Sequence, residues 1–203
     1  RGEVKDFNPS VVKKEVMAEI ESHRSIVTVL EEYKRRKLVS KPEEDYLLAT
    51  LEAIREENLE RIFRLLALLY DDDLIHLIYD RLVDADADRH IQANALELLE
   101  NVLEPGLARA LGAILDGDQW SVVEKKNFEE VIERFLRSQD RWLVVCAVFL
   151  IVELRLDQFY SELKNAAGSQ VSVVREAAEI ALASTRKMAD PSVGGKTGAA
   201  GII

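Results

Sequence analysis

Three segments of the sequence follow one apolar template, at residues 91–99, 143–151 and 174–182. Each begins with an aliphatic residue, ends with an apolar residue eight places later, and has an alanine at its fifth position: Ala95, Ala147 and Ala178. Offsets of four, seven and eight residues lie on one face of an α-helix. A central alanine lets a neighbouring helix approach closely. A chain that repeats this face is suited to stacking helix upon helix, as in an α-solenoid.

The remaining sequence also predicts helices. Only 4 prolines and 9 glycines occur among 203 residues, so helix breakers are rare. Helical periodicity begins at Asn8-Pro9, runs to about Lys37, and resumes between Leu47 and Leu69. Shorter helices are predicted at about 73–84, 88–103, 105–115, 119–138, 140–155, 157–167 and 171–188. No segment alternates with the period of a strand. We therefore predict an all-α superhelix of about ten helices, without a sheet.

The pattern divides the chain into three parts. Residues 1–41 form a long N-terminal helix, residues 42–188 form the helical repeats packed with it as one domain, and residues 189–203 form a flexible tail or linker. Charge is uneven between them. Residues 1–41 hold 10 Lys/Arg and 7 Asp/Glu, a net of +3, and the rest holds 17 and 30, a net of -13.

Composition excludes several functional classes. The net charge of -10 argues against nucleic-acid binding, which needs a basic face. The single cysteine, Cys146, precludes an internal disulfide and fits a reducing compartment. It lies in an apolar run at 142–152, which is shorter than the ~20 residues that span a bilayer. We expect a buried helix there, an inert thiol, and a cytoplasmic protein.

Residues 168–182 resemble the second helix of a HEAT-type repeat. The similarity consists of a polar turn, then Val174-Arg175, then alanines at helical spacing. The family's arginine is matched only by Arg175, since Gln92 and Val144 occupy the equivalent places. The resemblance implies the repeat fold and an extended surface for partners.

A narrower resemblance covers residues 58–188. The segments 58–70 and 92–103, with Asp140-Arg141-Trp142-Leu143, are similar to a helical module of certain bacterial proteins. Those proteins join HEAT-like repeats to a membrane part similar to ATP/ADP (NTP/NDP) exchange transporters. The resemblance implies a cytoplasmic piece of a larger protein at the inner face of a membrane. It implies a non-enzymatic scaffold or regulatory module without a cofactor, in contact with proteins or neighbouring domains of the same chain.

One basic patch stands out, and its residues are the candidate contact site: Lys34, Arg35, Arg36, Lys37 and Lys41. Cations at a helix C-terminus are favoured by the helix dipole, which is the simplest interpretation. The alternative is contact with an anionic membrane surface or an acidic partner. We expect no catalytic or metal-binding residue.

Other motifs are weak. Asp84, Asp86 and Asp88 have the first spacings of a calcium loop but lack its glycine and distal glutamate, so helix caps are expected instead. The segment 194–197 has the end of a phosphate-binding loop, but it follows a helix and leads into none. His76 and Asp80 are spaced as a surface helix pair.

Trp120 and Trp142 each begin a predicted helix, and we expect both to pack in the core between successive repeats. The alternative is an exposed tryptophan at a partner surface. The competing functional hypothesis is an enzyme or ligand-binding subunit whose site no motif reveals.

Overall fold

A computed structural model describes residues 8–37, 45–84, 88–115 and 127–189, of which 186–189 are described as backbone only. These residues form nine α-helices and no strand, which confirms the predicted all-α class. The helices are α1 (Pro9–Lys37), α2 (Tyr46–Ala67), α3 (Asp72–Val83), α4 (Arg89–Val102), α5 (Pro105–Leu115), α6 (Phe128–Leu136), α7 (Arg141–Glu153), α8 (Tyr160–Ala167) and α9 (Ser172–Ala189). A single 3-10 turn, Asp157–Phe159, precedes α8.

Polar side chains fix the starts of several helices. Asp71 accepts a hydrogen bond from the Leu74 N–H at 2.9 Å, and Asp140 accepts one from the Trp142 N–H at 2.8 Å. Each bond satisfies a backbone donor that has no partner within its own helix. Asn8 caps α1 in the same way. Residues 38–44 and 119–126, where further helix starts are predicted, lie outside the described residues.

The chain divides into two compact units. Unit 1 comprises Arg1–Glu31 and Ala49–Asn127, and unit 2 comprises Glu32–Leu48 and Phe128–Ile203. Helices α1 and α2 thus each supply residues to both units. The division predicted from the sequence, at 1–41, 42–188 and 189–203, stays a prediction.

Unit 1 is built on leucine and isoleucine. In it, α3 packs against α4 and α4 against α5. Its core includes Ile20, Ile62, Leu66, Ile78, Leu99 and Leu111. The template face of α4 is only partly buried in this core. Ala95 and Leu99 are buried, while Ile91 is 43% exposed.

Unit 2 is built around α7, which packs against α6, α8 and α9. Seven of its thirteen residues are buried, on nearly every side of the helix. Ala147 of α7 and Ala178 of α9 are fully buried, as the template predicts. Cys146 is also buried, and burial raises the pKa of its thiol to about 12, so the thiol stays protonated and inert.

The apolar run at 142–152 forms most of α7, a buried helix as expected. Within the described ranges, no helix is both long enough and apolar enough to cross a membrane.

Candidate functional site

The basic patch occupies the last turn of α1. Lys34, Arg35, Arg36 and Lys37 follow one another there, where the carbonyl end of the helix dipole favours cations. The side chain of Arg35 is 69% exposed, whereas those of Arg36 and Lys37 are about one third exposed. Lys41, the fifth residue of the predicted contact site, lies outside the described residues.

Glu32 binds both arginines of the patch. The Arg35 guanidinium donates to its two oxygens, from Nε at 2.8 Å and from a terminal nitrogen at 2.5 Å. Arg36 Nε donates to the same carboxylate at 2.5 Å. These hydrogen bonds lower the pKa of Glu32 to about 2, and the bond from Arg35 has the largest effect. Burial of the carboxylate opposes the shift. Glu32 therefore stays ionised throughout the physiological range.

Lys37 is held by three groups. Its Nζ donates to the Tyr33 hydroxyl at 2.8 Å and to Glu153 at 2.9 Å, and lies 3.2 Å from Asp45. The buried Tyr33 in turn donates to Asp45 at 2.9 Å. The hydrogen bond with Tyr33, followed by those with Glu153 and Asp45, raises the pKa of Lys37 above its ordinary value. Burial raises the pKa of Tyr33 to about 12, so the hydroxyl keeps its proton.

Arg36 also contacts α6. Its guanidinium carbon lies 4.7 Å from the centre of the Phe128 ring, and one nitrogen lies 3.8 Å from Glu129. A guanidinium over an aromatic face is attracted by the negative face of the ring. Within unit 2, Lys37 and Arg36 thus connect the end of α1 to the start of α2, to α6 and to the last residue of α7.

We call this set the charged cluster: Arg35, Arg36 and Lys37 with Glu32, Asp45, Glu129 and Glu153. Three cations in it face four carboxylates, so its charges largely cancel. A membrane or acidic partner attracts a basic patch through its net charge. The charged cluster therefore offers such a partner much less than the bare run of four basic residues indicates.

The other charged motifs serve local structure. Asp88 caps α4 by accepting from the His90 N–H at 3.1 Å, and Asp84 ends α3. Asp86 and the segment 194–197 lie outside the described residues. Across the described ranges, no group of three or more His, Cys, Asp or Glu residues is placed to hold a metal ion. His76 Nδ1 lies 2.9 Å from a carboxylate oxygen of Asp72, one turn before it. The hydrogen bond with Asp72, and then the charges of Asp72 and Asp80, raise the pKa of His76.

Sequence reasoning missed a polar link in the core of unit 1. His23 and Asn58 are both 4% exposed, and His23 Nδ1 lies 2.9 Å from Asn58 Oδ1. The Asn58 amide donates to Glu19 at 2.5 Å, which makes its oxygen the acceptor and places the proton on His23 Nδ1. Burial lowers the pKa of His23 to about 4, although the bond to Asn58 opposes the shift. His23 is therefore a neutral structural residue at pH 7.

The position of Trp142 also differs from the prediction. We expected it in the core, but it is 49% exposed at the start of α7, so that prediction is wrong. Its neighbours Leu143 and Val144 are buried. Helical periodicity carries no signal for this difference, because α7 is apolar on almost every side. Trp120 lies outside the described residues.

In comparisons with known proteins, no family model, no curated protein and no solved structure matches this chain. The residues themselves therefore carry the functional proposal.

Proposed function

We propose that this chain is a non-enzymatic helical-repeat scaffold that binds a protein partner. The observation that carries the proposal is Trp142, which is half exposed on a helix of which seven of the thirteen residues are buried. Tryptophan is enriched among the residues that dominate binding energy at protein interfaces. An exposed tryptophan on a rigid element presents a large apolar surface that loses little conformational entropy on binding.

The alanine template supports the repeat architecture of the proposal. Ala95, Ala147 and Ala178 are 1%, 0% and 0% exposed, although they belong to three different helices. Equivalent small residues at helix contacts are what stacked repeats require. A HEAT-like superhelix is the arrangement that this repetition favours.

The described titratable groups favour a scaffold over an enzyme. His23 and Cys146 have strongly shifted pKa values, but burial is the main cause in both. A general base or nucleophile needs access to substrate as well as a suitable pKa. His23 is 4% and Cys146 1% exposed, so neither has that access.

The resemblance to the transporter-associated module suggests the context. It favours a regulatory or scaffolding part of a larger membrane protein, at the cytoplasmic face, in contact with neighbouring domains. In that setting the charged cluster serves to hold the end of α1 against the other helices of unit 2. Lys34 and Arg35, which are both exposed, are the cations that would meet an anionic membrane surface.

Affinity capture with quantitative mass spectrometry tests the proposal. The full chain, its Trp142→Ala variant and a Tyr46→Ala control would be used as bait in extracts of the source cells. Tyr46 is a matched control because it is another exposed aromatic at the first turn of a helix. We expect one partner that wild type and Tyr46→Ala retain and that Trp142→Ala loses. Calorimetry with the purified partner should repeat that order, and a partner bound equally by all three chains would contradict the proposal.

Vesicle co-sedimentation tests the competing membrane role. Because the charged cluster is nearly neutral, we expect little binding to anionic or neutral vesicles at moderate salt. Binding to anionic vesicles alone, abolished by salt and by Lys34→Glu with Arg35→Glu, would assign the site to a membrane surface instead.

A further inference from the structure

Unit 2 contains a pocket of about 240 Å³ between the end of α7, α8 and α9. Its apolar residues are Ile151, Val152, Leu156 and Leu163. Its polar residues are Arg155, Asp157, Tyr160 and Thr185. An apolar floor with a few polar groups is the usual composition of a small-molecule site.

The backbone at Arg155 is unusual. Its φ is 53°, the left-handed region, and no other non-glycine residue in the described part of the chain has a positive φ. The Leu156 N–H donates to the Ile151 carbonyl at 2.9 Å, and the Arg155 N–H donates to the Val152 carbonyl at 3.2 Å. This pair of bonds is the Schellman helix ending, whose left-handed position is normally glycine. An arginine in this position is more strained than a glycine would be, and strained residues are frequent at functional sites.

Two opposite charges line this pocket. Within the described ranges, neither the Arg155 guanidinium nor the Asp157 carboxylate has an ion pair or a side-chain hydrogen bond. Some other charged side chains of unit 2 are paired, such as Arg137 with Glu133 at 3.2 Å. The pocket thus combines one available cation, one available anion and an apolar floor.

We propose that this pocket binds a free apolar α-amino acid of about the size of leucine. The Arg155 guanidinium would bind the carboxylate through two hydrogen bonds, a geometry that a planar guanidinium favours. Asp157 would accept from the ammonium group, and Ile151, Leu156 and Leu163 would contact the side chain. A ligand with only a carboxylate would place its negative charge close to that of Asp157. A ligand with only an ammonium group would place its positive charge close to that of Arg155.

Size supports the same class of ligand. Pockets for drug-sized ligands are commonly about 300–1,000 Å³. A pocket of about 240 Å³ therefore suits a smaller molecule, such as a single amino acid, better than a nucleotide or a longer peptide.

The site is independent of the proposed partner surface. Trp142 and Glu153 lie at opposite ends of α7, about 16 Å apart at the ordinary rise of a helix, and the pocket adjoins the Glu153 end. A scaffold with this pocket would respond to an amino acid without using Trp142.

Isothermal titration calorimetry of the full chain tests the proposal with four compounds. L-Leucine has both charges and the apolar side chain. Isocaproate lacks the ammonium group, isoamylamine lacks the carboxylate, and glycine lacks the side chain. We expect leucine to bind about tenfold or more tightly than each of the other three, because each of them loses one set of contacts.

The variants Arg155→Gly and Asp157→Asn assign the roles. Arg155→Gly suits the left-handed backbone, so its urea midpoint should be unchanged or higher while leucine binding falls about tenfold or more. Arg137→Ala, an exposed arginine of unit 2 outside the pocket, should bind leucine as wild type does. Absence of leucine binding at millimolar concentration, or equal binding by wild type and Arg155→Gly, would overturn the site. Equal binding of leucine and isocaproate, unaffected by Asp157→Asn, would overturn the choice of a zwitterion.

Discussion

The two units of this protein place their polar groups in opposite ways. Unit 1 buries a hydrogen-bonded pair, His23 and Asn58, in its interior. Unit 2 surrounds the apolar helix α7 with other helices and keeps the charged cluster partly exposed. A buried neutral pair is costly to charge, whereas a tightly packed apolar helix is costly to enlarge. The stability of unit 1 should therefore depend on pH, and that of unit 2 on side-chain volume.

Acid should produce the largest effect. The pKa of His23 is about 4 in the folded chain, below its ordinary 6.5, so the unfolded chain binds the proton first. The contribution of His23 to the free energy of unfolding is therefore fully present above pH 6.5. It is lost as the pH falls towards 4, by roughly 3 kcal/mol at most. Urea unfolding from pH 7 to pH 4 measures this loss.

The matched variants are His23→Gln and His90→Gln. His23→Gln removes the buried titrating group and should flatten the pH dependence, while His90→Gln, at an exposed position, should keep it. Identical slopes in wild type and His23→Gln would show that unit 1 does not owe its acid sensitivity to this pair.

Overpacking should come next, and it tests unit 2. Ala178 is fully buried on α9, so Ala178→Leu should lower the free energy of unfolding by about 1–3 kcal/mol. Ala183→Leu, on the exposed side of the same helix, should be nearly neutral. An unchanged urea midpoint for Ala178→Leu would remove Ala178 from the core.

Loss of one cation from the charged cluster should have a smaller effect. Lys37→Met leaves Asp45 and Glu153 without their common partner and should cost about 1 kcal/mol, since the group is partly exposed and screened. Arg141→Met, at an exposed position of the same unit, should cost less. Thermal melts at low and high salt should show the difference shrinking with salt. A cost independent of salt would indicate lost packing instead.

Calcium should have no effect on either unit. Asp88 already uses its carboxylate to cap α4, and Asp84 ends α3. Millimolar calcium or a chelator should therefore leave the melting temperature unchanged. A rise of several degrees with calcium that Asp86→Ala abolishes would show a metal site at this turn.

Much of the fold could be predicted because its signals are local. Asp71 and Asp140 begin helices by bonding backbone donors only two or three residues away. The buried alanines of α7 and α9 follow from helical spacing alone. The superhelical stacking of these helices stays a prediction, since it depends on contacts that helical spacing does not specify.

The candidate site was harder to predict because its contacts are distant in sequence. Lys37 and Glu153 are 116 residues apart, and no spacing rule connects them. A run of four basic residues predicts a cationic surface, because the sequence does not show which distant carboxylates will pair with it. The same limit applies to His23 and Asn58, which are 35 residues apart.

The sequence by itself determined the all-α class, the positions of most helices and the burial of the template alanines. These features depend on capping, helical period and side-chain size, which act within a few residues. Only the tertiary structure decided that Trp142 is exposed, that the basic patch is largely neutralised and that Arg155 and Asp157 line one pocket. Exposure and charge pairing depend on which distant elements pack together, and that is a property of the folded chain.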